Sequence, residues 1–165
     1  MKVCSVLFFI SLFSLNLFAQ TVTKNEEQLL NSGVLAMGND SVESVPIIYQ
    51  RDHVPFVKVI IDGKEYLFLF DTGATGCFIS SEIVGKANIE STLPIEDAGG
   101  KENNANVVFK NICIGKSSFN NIVCLVANTE RLANLGCVKI DGVLGTSLIK
   151  LCNWKLDPTN QMISF

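Results

Sequence analysis

Val54 to Ile61 (VPFVKVII) and Lys64 to Phe70 (KEYLFLF) are two runs rich in β-branched and aromatic residues, separated only by Asp62-Gly63. That arrangement dictates a β-hairpin closed by a type I′ turn, in which both central residues adopt positive φ. Similar short runs fill the remainder. Ile79 to Val84 forms a brief element. Val107 to Ile114 and Asn121 to Ala127 flank Gly115-Lys116-Ser117-Ser118 as a second hairpin. Val138 to Leu144 is apolar, Thr146 to Leu151 suits one or two helical turns, and Trp154–Leu156 and Met162–Phe165 read as terminal strands around Asp157-Pro158. Short strands at this spacing, with few helical periods, predict an all-β fold, mostly antiparallel, as a barrel or sandwich. The polar stretch Ile95 to Asn106 reads as a loop.

The chain's 165 residues suit one domain, and its 48% hydrophobic content is concentrated partly at the front. Val3 to Ala19 is an apolar run behind a single Lys2, and it ends on a small residue. These are the parts of a secretory signal peptide cut before Gln20. An uncleaved anchor is the alternative, but Ser5, Ser11, Ser14 and Asn16 interrupt a run shorter than the ~20 residues a spanning helix needs. The expected division is therefore a signal peptide at 1–19, a linker, arm or pro-segment at 20–45, and one folded domain at 46–165. Within the second segment, Asn25 is positioned to cap a short helix that Gly33 and Gly38 limit. The mature protein is expected to be exported, periplasmic or secreted, with no membrane association after cleavage.

Removing residues 1–19 takes away one lysine and no acid, so the net charge moves from −3 to −4. That balance excludes a strongly basic nucleic-acid binder. A single histidine, His53, excludes a His-rich zinc site, and no metal or other cofactor is expected. Cys77, Cys113, Cys124, Cys137 and Cys152 remain after cleavage. No C-x-x-C occurs among them, and four of the five lie in apolar runs, where a buried thiol is an ordinary small hydrophobe. Two disulfides with one thiol left over remain the alternative for an exported chain.

The chemistry concentrates in Tyr66 to Ser80, YLFLFDTGATGCFIS. An apolar strand runs straight into Asp71-Thr72-Gly73-Ala74. A carboxylate there is costly unless its charge is hydrogen-bonded or shared. A tight turn leaves backbone N–H groups free to bond it, with Gly73 and Gly76 permitting close approach. An ordinary Asp-Thr-Gly turn would look the same locally. Seventy residues further on, Asp141-Gly142-Val143-Leu144-Gly145 places two large apolar residues before a glycine and a short helix.

With both motifs, residues 46–165 resemble the retropepsin-like aspartic peptidase family, including the single-domain type of exported bacterial proteins. The resemblance implies a closed acid-protease β-barrel of one lobe, with a short helix near the C-terminus. It casts Asp71 as the catalytic Asp and Thr72 as the residue whose hydroxyl bonds across to a partner loop. Gly73 supplies the N–H that contacts the carboxylate, and Ala74 completes the DTGA form. Val143, Leu144 and Gly145 become the element packed beneath the active loop, and Gly99 and Gly100 fall in the flap. Family chemistry uses two facing carboxylates. This chain carries one Asp-Thr-Gly, so the resemblance implies a homodimer acting on a peptide or protein substrate. Family dimers also share a sheet of chain termini, for which Met162–Phe165 is a suitable strand.

Other enzyme classes lack their motifs. No G-x-S-x-G, G-x-x-x-x-G-K-[ST] or G-x-G-x-x-G occurs, and His53 has no spacing that joins it to a cysteine nucleophile. The rival reading is a non-catalytic dimeric binding or interaction module on the same fold. Sequencing the N-terminus of the exported protein should return a chain beginning near Gln20; recovery of Met1 would establish the anchored form instead.

Overall fold

The computed structural model describes residues 24–36, 42–50, 54–85, 89–96, 102–127 and 139–165. Three short helices and eleven strands occur among them. In chain order the elements are α1 (Lys24–Leu30), β1 (Val34–Ala36), β2 (Ser44–Gln50), β3 (Val54–Ile61), β4 (Lys64–Phe70), β5 (Cys77–Ser80), α2 (Ser81–Val84), β6 (Ser91–Glu96), β7 (Glu102–Ile114), β8 (Ser117–Ala127), β9 (Gly142–Leu144), α3 (Thr146–Ile149), β10 (Lys155–Asp157) and β11 (Met162–Ser164). The expected predominance of β structure holds. The expected signal segment at 1–19, His53, Gly99, Gly100 and Cys137 lie outside the described residues.

The first hairpin forms where the turn chemistry put it. β3 and β4 pair antiparallel from Ile61↔Lys64 to Phe56↔Leu69. Asp62 and Gly63 both take positive φ, 51° and 76°, as a type I′ turn demands. The second hairpin differs from the sequence reading in two places. Its turn is only Gly115-Lys116, and β8 begins at Ser117 rather than Asn121. The polar run Ser117–Asn121 hid the strand because the ladder passes through a bulge: Asn121 sits at φ 56°, its N–H bonding Asn111 Oδ1, and the register slips between Lys110 and Ile112. The stretch read as a loop also pairs. β6 and the start of β7 run from Ser91↔Val107 to Glu96↔Glu102. Leu93, Ala105 and Val107 are buried apolar residues here, but in sequence they are interspersed with Asn and Glu, a pattern that does not announce a strand.

The strands join in the order β10-β11-β2-β3-β4-β9-β5-β8-β7-β6, with β1 added to β8 and a further contact between β3 and β7 at Ile60↔Cys113. Most pairs are antiparallel; β4–β9 and β5–β8 are parallel. β9 therefore lies between β4 and β5, which are neighbours in sequence but not in the sheet. A large core gathers Val57, Val59, Ile61, Phe68, Ile79, Ile112, Leu144 and Leu148. At its lower end Trp154 packs on Phe165, Phe70 and Phe119, with ring centroids 4.4, 5.2 and 5.9 Å away, and its indole N–H donates to the Ile149 carbonyl at 2.7 Å. A second core joins Phe56, Leu69, Phe78, Val123, Leu125 and Val143. Leu30 at the end of α1 belongs to it, and burying one leucine contributes about 2 kcal/mol.

One expectation is corrected. Met162–Ser164 does not present a free strand, because β11 is flanked by β10 on one side and β2 on the other, both from the same chain. Glu43 and Phe165 also exchange backbone hydrogen bonds, each 2.9 Å, which ties the chain end to the start of β2. The long hairpin loop Asp157–Gln161 turns the chain back on itself, and the sequence run alone did not reveal that this hairpin folds against β2.

Glu43 then clamps the β7–β8 turn. Its carboxylate accepts from the Lys116 backbone N–H and from the Ser117 hydroxyl. Desolvation is the largest single influence and pushes its pKa up, but the Ser117 and Lys116 hydrogen bonds and the Lys116 charge outweigh it and hold the carboxyl below its ordinary range. A depressed folded-state value means the stabilisation is complete above the ordinary glutamate range and is lost as pH falls through the folded value. Glu43→Gln should therefore lower stability by about 1 kcal/mol at neutral pH, with wild type and variant converging in acid, as followed by urea unfolding across pH.

Candidate active site

β4 delivers Asp71 at its C-terminal end. Phe68, Leu69 and Phe70 pair in parallel with Gly142, Val143 and Leu144, and the ladder continues one step further, with the Asp71 N–H donating to the Leu144 carbonyl at 3.0 Å. Asp71 is thus fixed by its own backbone to the element that the sequence placed beneath it. The chain then turns: the Ala74 N–H reaches back to the Asp71 carbonyl at 3.4 Å, and the Gly73 N–H donates to Asp71 Oδ1 at 2.8 Å. A backbone donor on the carboxylate fixes its orientation. Asp71 is half-buried, Thr72 and Gly73 are exposed, and Ala74 is fully buried. The turn therefore carries its acid at an open tip above a packed base.

That base is built by α3 and the residues before it. The Thr146 N–H donates to the Ala74 carbonyl at 2.8 Å, and the Ser147 N–H to the Thr75 carbonyl at 3.1 Å. The Thr146 hydroxyl adds a bond to the same Thr75 carbonyl at 2.8 Å. Both carbonyls of the loop are thereby satisfied by one short helix start. Gly145 is required by contact: a Cβ there would run into the Gly76 carbonyl and come within 2.8 Å of the Ala74 oxygen, both immovable backbone. β9 is wholly buried, Val143 facing Leu69 in β4 and Phe78 in β5. Asp141 ends it. Its backbone N–H donates to the Leu67 carbonyl and its Oδ2 accepts from the Leu67 N–H, each at 2.9 Å, while its carbonyl accepts from the Ser80 N–H at 2.8 Å.

Thus Asp71, Thr72, Gly73 and Ala74 meet Val143, Leu144 and Gly145 in one unit. Gly99 and Gly100 lie outside the described residues, between the paired arms β6 and β7. Sequence reasoning missed Thr146, Ser147 and the part played by Cys77. Ser147 is buried; its hydroxyl oxygen accepts from the Cys77 N–H at 3.1 Å and lies 3.5 Å from Cys77 Sγ, which also accepts from the Gly145 N–H at 3.4 Å. Two hydroxyl residues directly after an apolar-apolar-glycine run were the available signal. Cys77, Cys113, Cys124 and Cys152 are free thiols. Burial pushes Cys77 up in pKa, against the pull of the Ser147 hydrogen bond, and Cys124 well up, with Cys77 adding to the effect. Burial also raises Cys152 to about 11. Such thiols are poor nucleophiles, which removes the cysteine-protease alternative for them.

A two-motif loop over a buried β9 and a glycine-led helix defines a retropepsin-like fold. The sequence model of the Aspartyl protease family matches residues 57–148, more than half the chain, and the chain belongs to that family. Among solved structures, a retropepsin-like aspartic protease from Rickettsia conorii is similar over 78% of this chain and 94% of that one, at 20% identity and a TM-score of 0.52, a likeness of fold. No curated protein matches.

Replacing Ser147 by Ala removes the acceptor for the buried Cys77 N–H. Stability should fall by about 2 kcal/mol, measured by chemical denaturation, because a buried donor is left unsatisfied. A loss under a few tenths would show that the loop base does not depend on it.

Proposed function

We propose that this chain is an exported aspartic endopeptidase acting as a homodimer, with one Asp71 from each protomer. The reading rests chiefly on one observation: Asp71 stands half-buried at an exposed turn, its Oδ1 held by Gly73 N–H, its backbone locked to Leu144. A second copy brought against that turn around a two-fold axis would place two such carboxylates face to face, with the exposed Thr72 of each beside the other loop. The return of the strand path from β7 to β3 supports reading the lobe as a closed barrel that gives the two loops a rigid platform.

Two carboxylates about 3 Å apart cannot both ionise readily, so the pair shares a proton; the aspartic-protease dyad is the known case of this effect. The ionised member takes a proton from a water held between them as that water attacks the scissile carbonyl. The protonated member donates to the carbonyl oxygen. Collapse of the tetrahedral intermediate breaks the C–N bond, the nitrogen takes up a proton, and a carboxylic acid and an amine leave. Water is the nucleophile, so no cofactor enters. The signal segment at 1–19 supports export, and Gly99-Gly100 at the end of the β6–β7 arms is suited to a flap that closes over the peptide.

Asp71→Asn should reduce cleavage of a mixed peptide library by about a thousandfold or more while circular dichroism and unfolding midpoint stay near wild type. Titrating this variant into wild-type protein should depress activity beyond simple dilution, because mixed dimers hold one carboxylate. Cleavage at the wild-type rate by the variant, or activity per chain that is independent of both dilution and mixing, would overturn the assignment.

A further inference from the structure

The segment before the domain is docked, and it is docked against the far end of the Asp71 loop. α1 ends in Leu30, which is 6% exposed. Its Cδ2 lies 3.3 Å from the position a Cβ on Gly76 would take, so it rests directly on the last residues of the Asp71 loop. Leu30 shares one packed cluster with Ala74 of that loop, Phe78 of β5, Leu125 of β8, and Leu93 and Ala105 on the arms of the β6–β7 hairpin. A single side chain from the arm thus connects the catalytic loop to the base of the hairpin above it. Leu29 packs at the edge of the same cluster.

The attachment beyond Leu30 is of a different kind. β1 adds three residues to β8, Val34↔Asn120 to Ala36↔Ser118. Ser32 and Asn121 exchange side-chain-to-backbone bonds at 3.4 and 3.3 Å, and Lys150 Nζ bonds Asn31 Oδ1. Leu35 adds a partly buried contact with the large core; the side-chain hydrogen bonds are exposed, and Val34 is 60% exposed. Such contacts contribute little each, and a three-residue edge strand opens readily. The arm is therefore held by a few apolar side chains, of which Leu30 is the most buried, and by a weak polar tether, the construction of a part that is able to leave.

We propose that Lys24–Ala36 is an intramolecular plug: Leu30 occupies an apolar cradle at one end of the peptide-binding cleft, and a substrate peptide must displace it with an aliphatic side chain of its own. This rests on the peptidase reading. A peptide extended from Asp71 across Ala74 towards Gly76 meets Leu30, so docking of the arm and binding of peptide exclude each other. The arm lowers apparent affinity by the fraction of chains in which it is docked, and leaves the chemical step at Asp71 untouched.

The test uses the full mature chain with Leu30→Asp and, as a milder change that keeps an apolar residue, Leu30→Ala. Hydrogen exchange reads arm docking at residues 31–36 against β4 and β8 as internal references. Peptide binding is read by fluorescence anisotropy with labelled leucine-containing library peptides in an Asp71→Asn background, where no turnover occurs. Cleavage is read in parallel with Asp71 intact. The arm should lose protection while β4 and β8 keep theirs. Peptide affinity should rise about fivefold or more, Asp exceeding Ala, and KM should fall by a similar factor with kcat nearly constant. Tighter binding without cleavage in any form would sink the peptidase reading and leave the plug standing. Cleavage with affinity unchanged after arm release would sink the plug and leave the peptidase reading standing. An arm that keeps full protection in both variants would show that Leu30 is not its anchor and overturn the proposal.

Discussion

Everything at the site depends on β9 being inserted between β4 and β5. Two sequential strands would ordinarily pair and close with a tight turn. Here three residues from more than sixty positions later take the slot, Gly142–Leu144, paired parallel to β4 and antiparallel to β5. Adjacent strands lie about 4.8 Å apart, so the chain leaving β4 must cross roughly 9–10 Å to reach β5. The Asp71–Gly76 loop is that bridge. It cannot sag into the sheet, because Gly145 lies against it and the start of α3, at Thr146 and Ser147, donates to the Ala74 and Thr75 carbonyls. A loop propped from below and open above is what a reactive carboxylate needs: an orientation fixed by the fold, on a surface that another molecule can reach.

The insertion also explains the residue types at β9. A strand paired on both edges and covered on both faces admits no polar side chain, hence Val143 and Leu144. Gly142 is forced by the neighbours, since a Cβ would strike the Phe68 ring and the Phe78 carbonyl. Asp141 marks the strand's start by trading both a backbone and a side-chain bond with Leu67. It stands at the opposite end of β9 from Asp71, which accounts for the second Asp-Gly of the chain as a strand-end fastener.

Legibility followed the range of the forces involved. The β3–β4 hairpin was readable because its turn is decided by two adjacent residues, Asp62 and Gly63. The Asp71 loop and the Val143-Leu144-Gly145 element were readable because each is a contiguous run with a distinctive composition. The β6–β7 hairpin was not, since its arms carry asparagine and glutamate, residues depleted in strands. β11 was read as a strand but not as one already enclosed by β2 and β10, because pairing partners more than a hundred residues apart leave no local mark. Ser147 was missed for a related reason. A single hydroxyl tied to the Cys77 N–H across seventy residues has no periodicity to betray it.

The enclosure of β11 bears on how two copies would meet. With the terminal strand satisfied on both edges inside its own chain, a shared sheet of chain ends does not supply the association by default. The burden shifts towards the exposed turn at Thr72 and Gly73 and towards whatever the β6–β7 arms contribute. An association resting on so small a patch is weaker than one built on a continuous sheet, because the area removed from water is less. Dimer formation then becomes sensitive to anything that moves the loop or its neighbours. Leu30 is such a neighbour: it touches Gly76 and packs in one cluster with Ala74 and the hairpin arms. In the proposed reading, where each chain supplies half an active site and covers one end of it with its own arm, chemistry is tied to two separate events, meeting a second copy and releasing the arm. Neither event requires the core to change, because the Asp71 loop is already braced by β9 and α3 in the single chain.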